Sequence, residues 1–566
     1  MSEFAATVER SLDPSAGLEF ADRVDAQTIA LADLITAGEL DNPGFAIGLE
    51  LEVYAVDDAN RLAPLPPAVF TACAKELGVH NAELNTRATA FDAAGIDAQL
   101  DALIDALAAA RAAFDAADRR LVMDGMWTVG PPGGARAYLE AMSERDGVPV
   151  ATHMRENARY AALDRDIVGR AGGEVTVAVP GATLTLPSII AESLTTSIQP
   201  HLQVPTAAAL PTYYNVALRT MAPILAVATN SPFLPYDLYD ADADPAAVVD
   251  ATHHELRIAV FEQSINTGDA KVRFPGDIDD AADIVHRVRD DATRAPFCRE
   301  WVDDSDPVDF RDQFWELDHK RGTYWRWLRG IAGGQPVDPG SEQNLRIEYR
   351  PLPTQPTLEE NVALQLYVAG AIRGLVAREH PIATLPWEDA HDSFYAVARD
   401  GRDAEIAWVR AGGRRTTDQA EIYDELTEAA LVGLTEAGIS RGLAAAHIRP
   451  ITDRIAGGMT PSEWKLERVR EGLAAGRRCR GSPPRCSSRG CRRTTPRSPR
   501  PPTRSRGSSP MRRRSPSRRP RAPTSRSMCV TAAGRPTPAR SPPRGRSPTC
   551  PPARRSSHPP ARRGRS

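Results

Sequence analysis

Lysine is almost missing from this chain: Lys75, Lys271, Lys320 and Lys465 are the only four among 566 residues. Cysteine is equally scarce before residue 477, where Cys73 and Cys298 stand alone. Two cysteines exclude a disulfide framework and fit a reducing compartment. No apolar run reaches the ~18 residues of a membrane span. The opening Met-Ser-Glu-Phe-Ala lacks the basic start and apolar stretch of a secretory signal. A soluble, cytoplasmic protein with no membrane partner is expected. Gly-x-x-x-x-Gly-Lys-Ser/Thr is also absent, which excludes a P-loop.

The formal net charge of −5 averages two unlike parts. From Arg477 to Ser566 there are 27 Arg and no Lys, Asp or Glu. The preceding 476 residues therefore hold 42 basic against 74 acidic side chains, a net charge of −32. An acidic, lysine-poor body suits a salt-rich cytoplasm, where screening tolerates self-repulsion. The expected source is a halophile with a G+C-rich genome, a haloarchaeon. Folding that is unchanged between low and molar KCl would refute this; an ordinary acidic enzyme is the alternative.

Residues 477–566 contain no Leu, Ile, Phe, Tyr, Trp, Asn or Gln. Such a segment cannot bury a core and is expected to be disordered. It could be a basic arm for nucleic acid, but no aromatic or lysine interleaves the arginines. Its residue types are mostly those of G- and C-rich codons, and the change is abrupt after the helical Trp464–Leu473. A shifted reading frame is the favoured reading, and the nucleotide sequence checks it. Nucleic acid is not an expected partner.

Before that break the pattern is mixed. Leu100, Leu103, Ile104, Leu107 and Phe114 form a helical stripe. Residues 174–186 alternate around Pro180-Gly181, a hairpin signal. Residues 212–228 look like a buried helix running into Asn230-Ser231-Pro232-Phe233. Thr357 and Glu360 form a capping box for an apolar helix ending near His380-Pro381. Residues 385–476 are mostly helical. Without regular βαβ alternation, this argues an α+β fold with an antiparallel sheet. The expected organisation is an N-terminal helical segment 1–44, a catalytic region 45–376, a helical part 377–476 of the same unit, and the tail 477–566.

Three short segments could carry chemistry. In Ala46-Ile-Gly-Leu-Glu-Leu-Glu-Val-Tyr54, Glu50 and Glu52 share one face of a strand, about 7 Å apart. Two like charges there raise each other's pKa, a cost that a divalent cation removes; a wet strand face is the bland alternative. In Ser197-Ile-Gln-Pro-His-Leu-Gln203, Gln199, His201 and Gln203 share a face. Pro200 cannot donate to a ladder, so this strand is expected at an edge or a bulge. In Arg346-Ile-Glu-Tyr-Arg350, Arg346, Glu348 and Arg350 align. Alone, His201 reads as structural and the Arg-Glu-Arg face as a solvated ion-pair ladder. Together the segments supply ligands for Mg²⁺ and guanidinium groups for phosphate. Gly130-Pro-Pro-Gly-Gly134 reads as a turn. His253-His254-Glu255 lacks zincin spacing and reads as structural, whereas Arg257 could join a phosphate site or form a surface ion pair.

In order and spacing, Gly48-Leu-Glu-Leu-Glu52, Arg155-Glu-Asn-Ala-Arg-Tyr160, Thr196-Ser-Ile-Gln-Pro-His-Leu-Gln203, Ala228-Thr-Asn-Ser-Pro-Phe233 and Ile347-Glu-Tyr-Arg350 resemble the glutamate–cysteine ligase family, in its bacterial and archaeal carboxylate–amine ligase branch. The resemblance covers roughly 45–376 and more loosely 377–476. It implies a glutamine-synthetase-like curved antiparallel sheet, a funnel with helices outside. It implies ATP as co-substrate and Mg²⁺ (or Mn²⁺) held by Glu50, Glu52, His201 and Glu348. Arg350 and Arg257 would act on the transferring phosphate. Arg159, Tyr160, Gln199, Gln203, Asn230 and Arg346 would contact nucleotide or amino-acid substrate. The implied reaction joins glutamate to cysteine through an acyl phosphate, giving γ-glutamylcysteine. Another acid or amine, or a non-catalytic nucleotide-binding member, stays open, as does the oligomeric state.

Overall fold

β1 (Ala46–Val56) buries Leu49, Leu51 and Val53 on one face and leaves Glu50 and Glu52 half-buried on the other. That alternation sets the architecture, because one strand face must meet a core while the other can line a cavity. A computed structural model describes residues 2–302, 309–334 and 344–476. The expected tail and its shifted frame lie outside the described residues.

The central sheet gathers β1, β2 (Ala74–Lys75), β3 (Asn81–Asn85), β4 (Thr89–Ala90), β5 (Arg120–Val122), β6 (Ser197–Val204), β7 (Leu328–Ala332), β8 (Leu345–Tyr349) and β9 (Leu352–Pro353). Its order is β7-β8-β6-β1-β3-β2, with β4 and β5 also on β1 and β9 on β6. Every pairing is antiparallel. The result is an α+β fold around a curled half-barrel sheet. A separate hairpin, Val175–Val179 with Ala182–Leu186, occupies the predicted place.

Pro200 sits at a bulge, one of its two expected positions. β6 is not an edge; it lies between β1 and the β8/β9 pair. Residues 201–204 of β6 pair with β8 and residues 197–198 with β9, so the ladder skips Gln199 and Pro200 on that side. A proline's missing donor is tolerated at such an interruption. The break falls opposite Arg350-Pro351, between β8 and β9.

Among the helices are α1 (Glu3–Leu12), α2 (Pro14–Thr36), α3 (Ala93–Asp115), α4 (Ala158–Arg170), α5 (Leu210–Ala226), α6 (Leu256–Ile265), α7 (Asp283–Asp290), α8 (Trp315–Arg321), α9 (Leu358–Ala377) and α10 (Gln419–Glu436). α3 buries Leu103, Leu107 and Phe114, but Ile104, read as part of that stripe, is 49% exposed. α5 is buried almost all round. Thr357 Oγ1 accepts from the Glu360 amide, and Glu360 Oε2 accepts from the Thr357 amide at 3.1 Å, closing the predicted capping box of α9. Behind β1, Gln365 of α9 donates to the Gly48 carbonyl at 2.9 Å. α9 and α10 approach so closely that a Cβ on Gly374 would sit 1.8 Å from the Ala429 carbonyl oxygen. Only glycine permits that contact. The described residues fall in one compact unit. Among them, no helix is long and apolar enough to cross a membrane.

The rare lysines are mostly internal. Lys271 and Lys320 are buried, and Lys465 bonds the Asn230 carbonyl at 2.7 Å and pairs with Asp124. Lys75 alone is exposed.

Candidate functional site

Antiparallel register turns three distant segments into one wall. On β6, Gln199 stands opposite Glu50 of β1, and His201 opposite Glu348 of β8. Arg346 faces Gln203, and Arg329 of β7 faces Glu348. His201 Nε2 lies 3.3 Å from Glu50 Oε1. Ligating atoms of Glu50, His201 and Glu348 fall within 4.8 Å of one another.

Of the four expected ligands, Glu52 alone does not join this group. Although it shares a face with Glu50, its cross-strand partner is Glu83 of β3. Glu52, Glu76 and Glu83 form a second group whose ligating atoms are also within 4.8 Å. Glu52 accepts from the Ser197 amide at 2.6 Å and from Gln199 Nε2 at 3.2 Å. Gln199 Oε1 in turn accepts from Arg350, which also pairs with Glu348. Gln199 and Arg350 thus bridge the two groups.

The electrostatics of the groups differ. Burial pushes the Glu348 carboxyl up, but Arg329 and Arg350 outweigh it and hold it well below the ordinary range. Burial likewise opposes ionisation of Glu50, and His201 more than offsets it. In the second group the carboxylates raise one another, and the cations near Glu52, Arg350 and Arg257, do not offset its burial. Burial, then Glu83 and Glu52, push Glu76 well up. Burial with Glu50 and Glu52 pushes Glu83 up to about 8. Burial and Glu52 also push the adjacent Glu192 up to about 8. Glu52 itself is raised by burial, moderated by the Ser197 amide and Arg350.

Both groups fit a hard divalent cation. They are oxygen-rich, with a single imidazole, as Mg²⁺ or Mn²⁺ requires. His201 Nε2 is buried without a hydrogen-bond partner although it points at Glu50. His201 Nδ1 accepts from Arg346 Nε at 3.2 Å. That bond leaves a neutral ring's proton on Nε2, so ligation through Nε2 requires the other tautomer and release of Arg346.

In front of the first group opens a cavity of about 510 Å³. Glu50, His201, Gln203, Arg346 and Glu348 line it. Across from them stand Leu31 of α2, Ile284 and Val285 of α7, and Phe314; Asp318 and Arg321 of α8 also line it.

Four expected contact residues are not on the cavity wall, although Arg257 and Tyr160 interact electrostatically with Glu52 and Glu76 of the second group. Arg257 is 2% exposed, pairs with Glu255 at 3.1 Å and donates to the Pro351 carbonyl. It braces the turn behind Arg350 and does not line the cavity. Asn230 is fully buried and donates to the Thr354 carbonyl at 2.7 Å. Arg159 donates to the His319 carbonyl at 3.1 Å, under α8. Tyr160 sits near Glu76 and Glu192, outside the cavity wall, its hydroxyl pKa raised by burial. The sequence reading missed Glu76, Glu83, Glu192, Arg329 and Arg321. Glu83 had a legible signal, its alternation in Asn81-Ala-Glu-Leu-Asn85; Glu76 follows a two-residue strand and had none.

Adjacent carboxylates, one imidazole and flanking arginines on a curled antiparallel sheet are residue types that could hold a divalent cation and phosphate oxygens. The sequence profile described as glutamate-cysteine ligase family 2 matches residues 46–481, and the chain belongs to that family. It is a glutamate–cysteine ligase-like enzyme, an ATP-dependent carboxylate–amine ligase. Solved structures similar to it include the glutamate–cysteine ligase of Francisella tularensis in complex with AMP: 14% identity, TM-score 0.43, covering 77% of this chain and 95% of that one. The bifunctional glutathione synthetase of Pasteurella multocida shares 11% identity at TM-score 0.45 over 80% of this chain. This chain spans only 52% of that protein. A glutamine synthase homolog shares 12% identity at TM-score 0.25, covering 80% of this chain and 74% of that one. No curated protein sequence matches.

Proposed function

We propose that this ligase joins the γ-carboxylate of glutamate to the amine of cysteine, with Mg·ATP as the phosphoryl donor. The observation that supports it most is the pair of adjoining acidic groups, Glu50–His201–Glu348 and Glu52–Glu76–Glu83, bridged by Gln199 and Arg350.

A carboxylate is a poor electrophile. ATP converts it to an acyl phosphate, and an amine then displaces inorganic phosphate. Glu50, His201 and Glu348 would hold one Mg²⁺ and Glu52, Glu76 and Glu83 another. Held there, such a cation would supply positive charge to offset the negative charge that develops on transferring phosphate. Arg350 adds a fixed guanidinium between the groups. Arg346, once released from His201, is placed to meet an oxyanion in the cavity. Glu348 keeps its charge at neutral pH because Arg329 and Arg350 hold it ionised. No nucleophilic side chain is needed, which suits a site without a Ser/His/Asp or Cys/His arrangement.

The test is ADP release by the purified full chain with ATP, Mg²⁺, glutamate and a panel of amino acids, in low and molar KCl. Turnover that requires glutamate and is greatest with cysteine is expected. Turnover with another acid or amine would replace the substrate pair. Mg·ATP binding without turnover of any member would overturn the ligase reading.

A further inference from the structure

α2 lies wholly before residue 46, where the family match begins, yet it reaches the site. Leu31 forms part of the cavity wall. One turn earlier, Gln27 makes two bonds to α8: its Oε1 accepts from the Leu317 amide at 2.9 Å, and its Nε2 donates to Glu316 Oε2 at 2.6 Å. These bonds replace something α8 lacks. Its N-cap position is Phe314, whose side chain cannot accept a hydrogen bond, and no side-chain cap is present. The first amides of any helix have no partner within it, and Gln27 satisfies one of them from another element. The other oxygen of Glu316 accepts from the Arg299 amide at 3.0 Å and from Arg23 of α2 at 3.2 Å. Phe20, two turns before Gln27, meets the His319 ring edge-on at 5.8 Å.

α8 in turn carries cavity chemistry. Arg321 and Asp318 line the cavity and pair with each other through Arg321 Nε at 3.0 Å. The Arg321 carbonyl accepts from Arg329 Nη1 at 3.1 Å, and Arg329 holds Glu348 through Nη2 at 2.9 Å. A line of hydrogen bonds therefore runs from Gln27 through α8 to a candidate metal ligand.

We propose that Gln27 is a positioning residue of the ligase site. It caps α8 from outside the family-matched region and so holds Arg321 at the cavity for an anionic group of a substrate, a carboxylate or a phosphate. The proposed role rests on the ligase reading above and adds a segment to it. Truncating the side chain's polar end in Gln27→Met removes both bonds. Gln27→Glu combined with Glu316→Gln restores them in reversed polarity. The carboxylate introduced on α2 would accept from the Leu317 amide and from the amide group introduced on α8. The remaining side-chain oxygen on α8 would still serve Arg299 and Arg23.

The experiment compares full-length wild type, Q27M and the double variant by steady-state kinetics, melting and hydrogen exchange of residues 315–321. In Q27M, KM for glutamate or for ATP is expected to rise about fivefold, the equivalent of a lost cap, with a smaller change in kcat. A rise confined to glutamate assigns a carboxylate to Arg321, and one confined to ATP a phosphate. The double variant should return both KM and exchange toward wild type. A lower Tm with both KM values unchanged, or a double variant that leaves KM elevated, would overturn the positioning role. Exchange is read without substrate, so the cap and the ligase reading fail separately. Faster exchange in Q27M with no turnover in any protein would overturn the ligase reading, and with it the positioning role, and leave the cap standing. Equal exchange in wild type and Q27M would overturn the cap.

Discussion

Two acidic groups lie side by side on the same sheet face, and their surroundings treat them oppositely. Around Glu348 the sheet supplies two guanidinium groups, Arg329 across the strand pair and Arg350 two residues on. Around Glu76 and Glu83 it supplies more carboxylates, Glu52 and Glu192. The first group is charged before any metal arrives. The second stores repulsion that protons or a cation must relieve. Such repulsion, beside a group whose charge is already balanced by arginines, is the basis for the proposed cation there.

The largest effect should come from removing charge at either group. Glu348→Gln and Glu52→Gln are each expected to lower ADP release by roughly 10²-fold or more, because metal-assisted charge stabilisation contributes several kcal/mol. Circular dichroism should show an intact fold. Near-wild-type turnover in both variants would undo the assignment of these groups to metal.

The groups should part company in stability. Arg329→Met leaves Glu348, 1% exposed by its side chain, with a single guanidinium. Breaking a buried pair in this way costs about 3 kcal/mol, read as a fall in the urea midpoint. Glu83→Gln should act in the other direction, raising metal-free stability at pH 8. If both variants destabilise equally, the two groups do not differ as described.

Acidity and metal sharpen the contrast further. Glu83 moves from an ordinary 4.5 to about 8 in the folded protein. Between those values the folded state binds a proton that the unfolded chain has released, so metal-free stability falls as pH rises through that window. Added Mg²⁺ must displace the proton, and its stabilisation should therefore grow with pH and be accompanied by proton release. Melting curves with and without Mg²⁺ between pH 5 and about 8 read this directly. A Mg²⁺ shift that is flat across the range would show that the second group is not the metal's.

Why only half of this was legible is a matter of pairing. Period-two alternation marked β1, β6 and β8 and the face each presents, because those facts are local to a strand. Which strands adjoin is not local. The opposition of Glu52 to Glu83, of Arg329 to Glu348 and of Gln199 to Glu50 is set by tertiary register. Glu50 and Glu52 were rightly placed on one face, yet their different neighbours send them to different groups. Arg257 and Asn230 stand off the cavity wall for the converse reason. Polar residues at a sharp turn look like site residues in a sequence; here Arg257 bonds Glu255 and the Pro351 carbonyl, and Asn230 Nδ2 bonds the Thr354 carbonyl while its Oδ1 is buried without a partner among the described residues. The Pro200 strand need not be an edge because a gap between β8 and β9 lets a proline sit inside the sheet.

The smallest effect tests the boundary between the groups. Asn85 lines the cavity in front of Glu50, and its Nδ2 donates to Glu83 Oε1 at 2.7 Å. That bond lowers the Glu83 pKa against burial and the neighbouring carboxylates. Asn85→Ala removes it, so Glu83 should titrate higher still and hold its proton more firmly against Mg²⁺. One hydrogen bond to a charged group that is partly open to solvent contributes about 1 kcal/mol. The apparent Mg²⁺ affinity at pH 7 should weaken by about fivefold, and the loss should shrink at pH 9, where the proton no longer competes. Affinity reduced equally at both pH values would mean that Asn85 acts by shaping the cavity instead of by tuning Glu83.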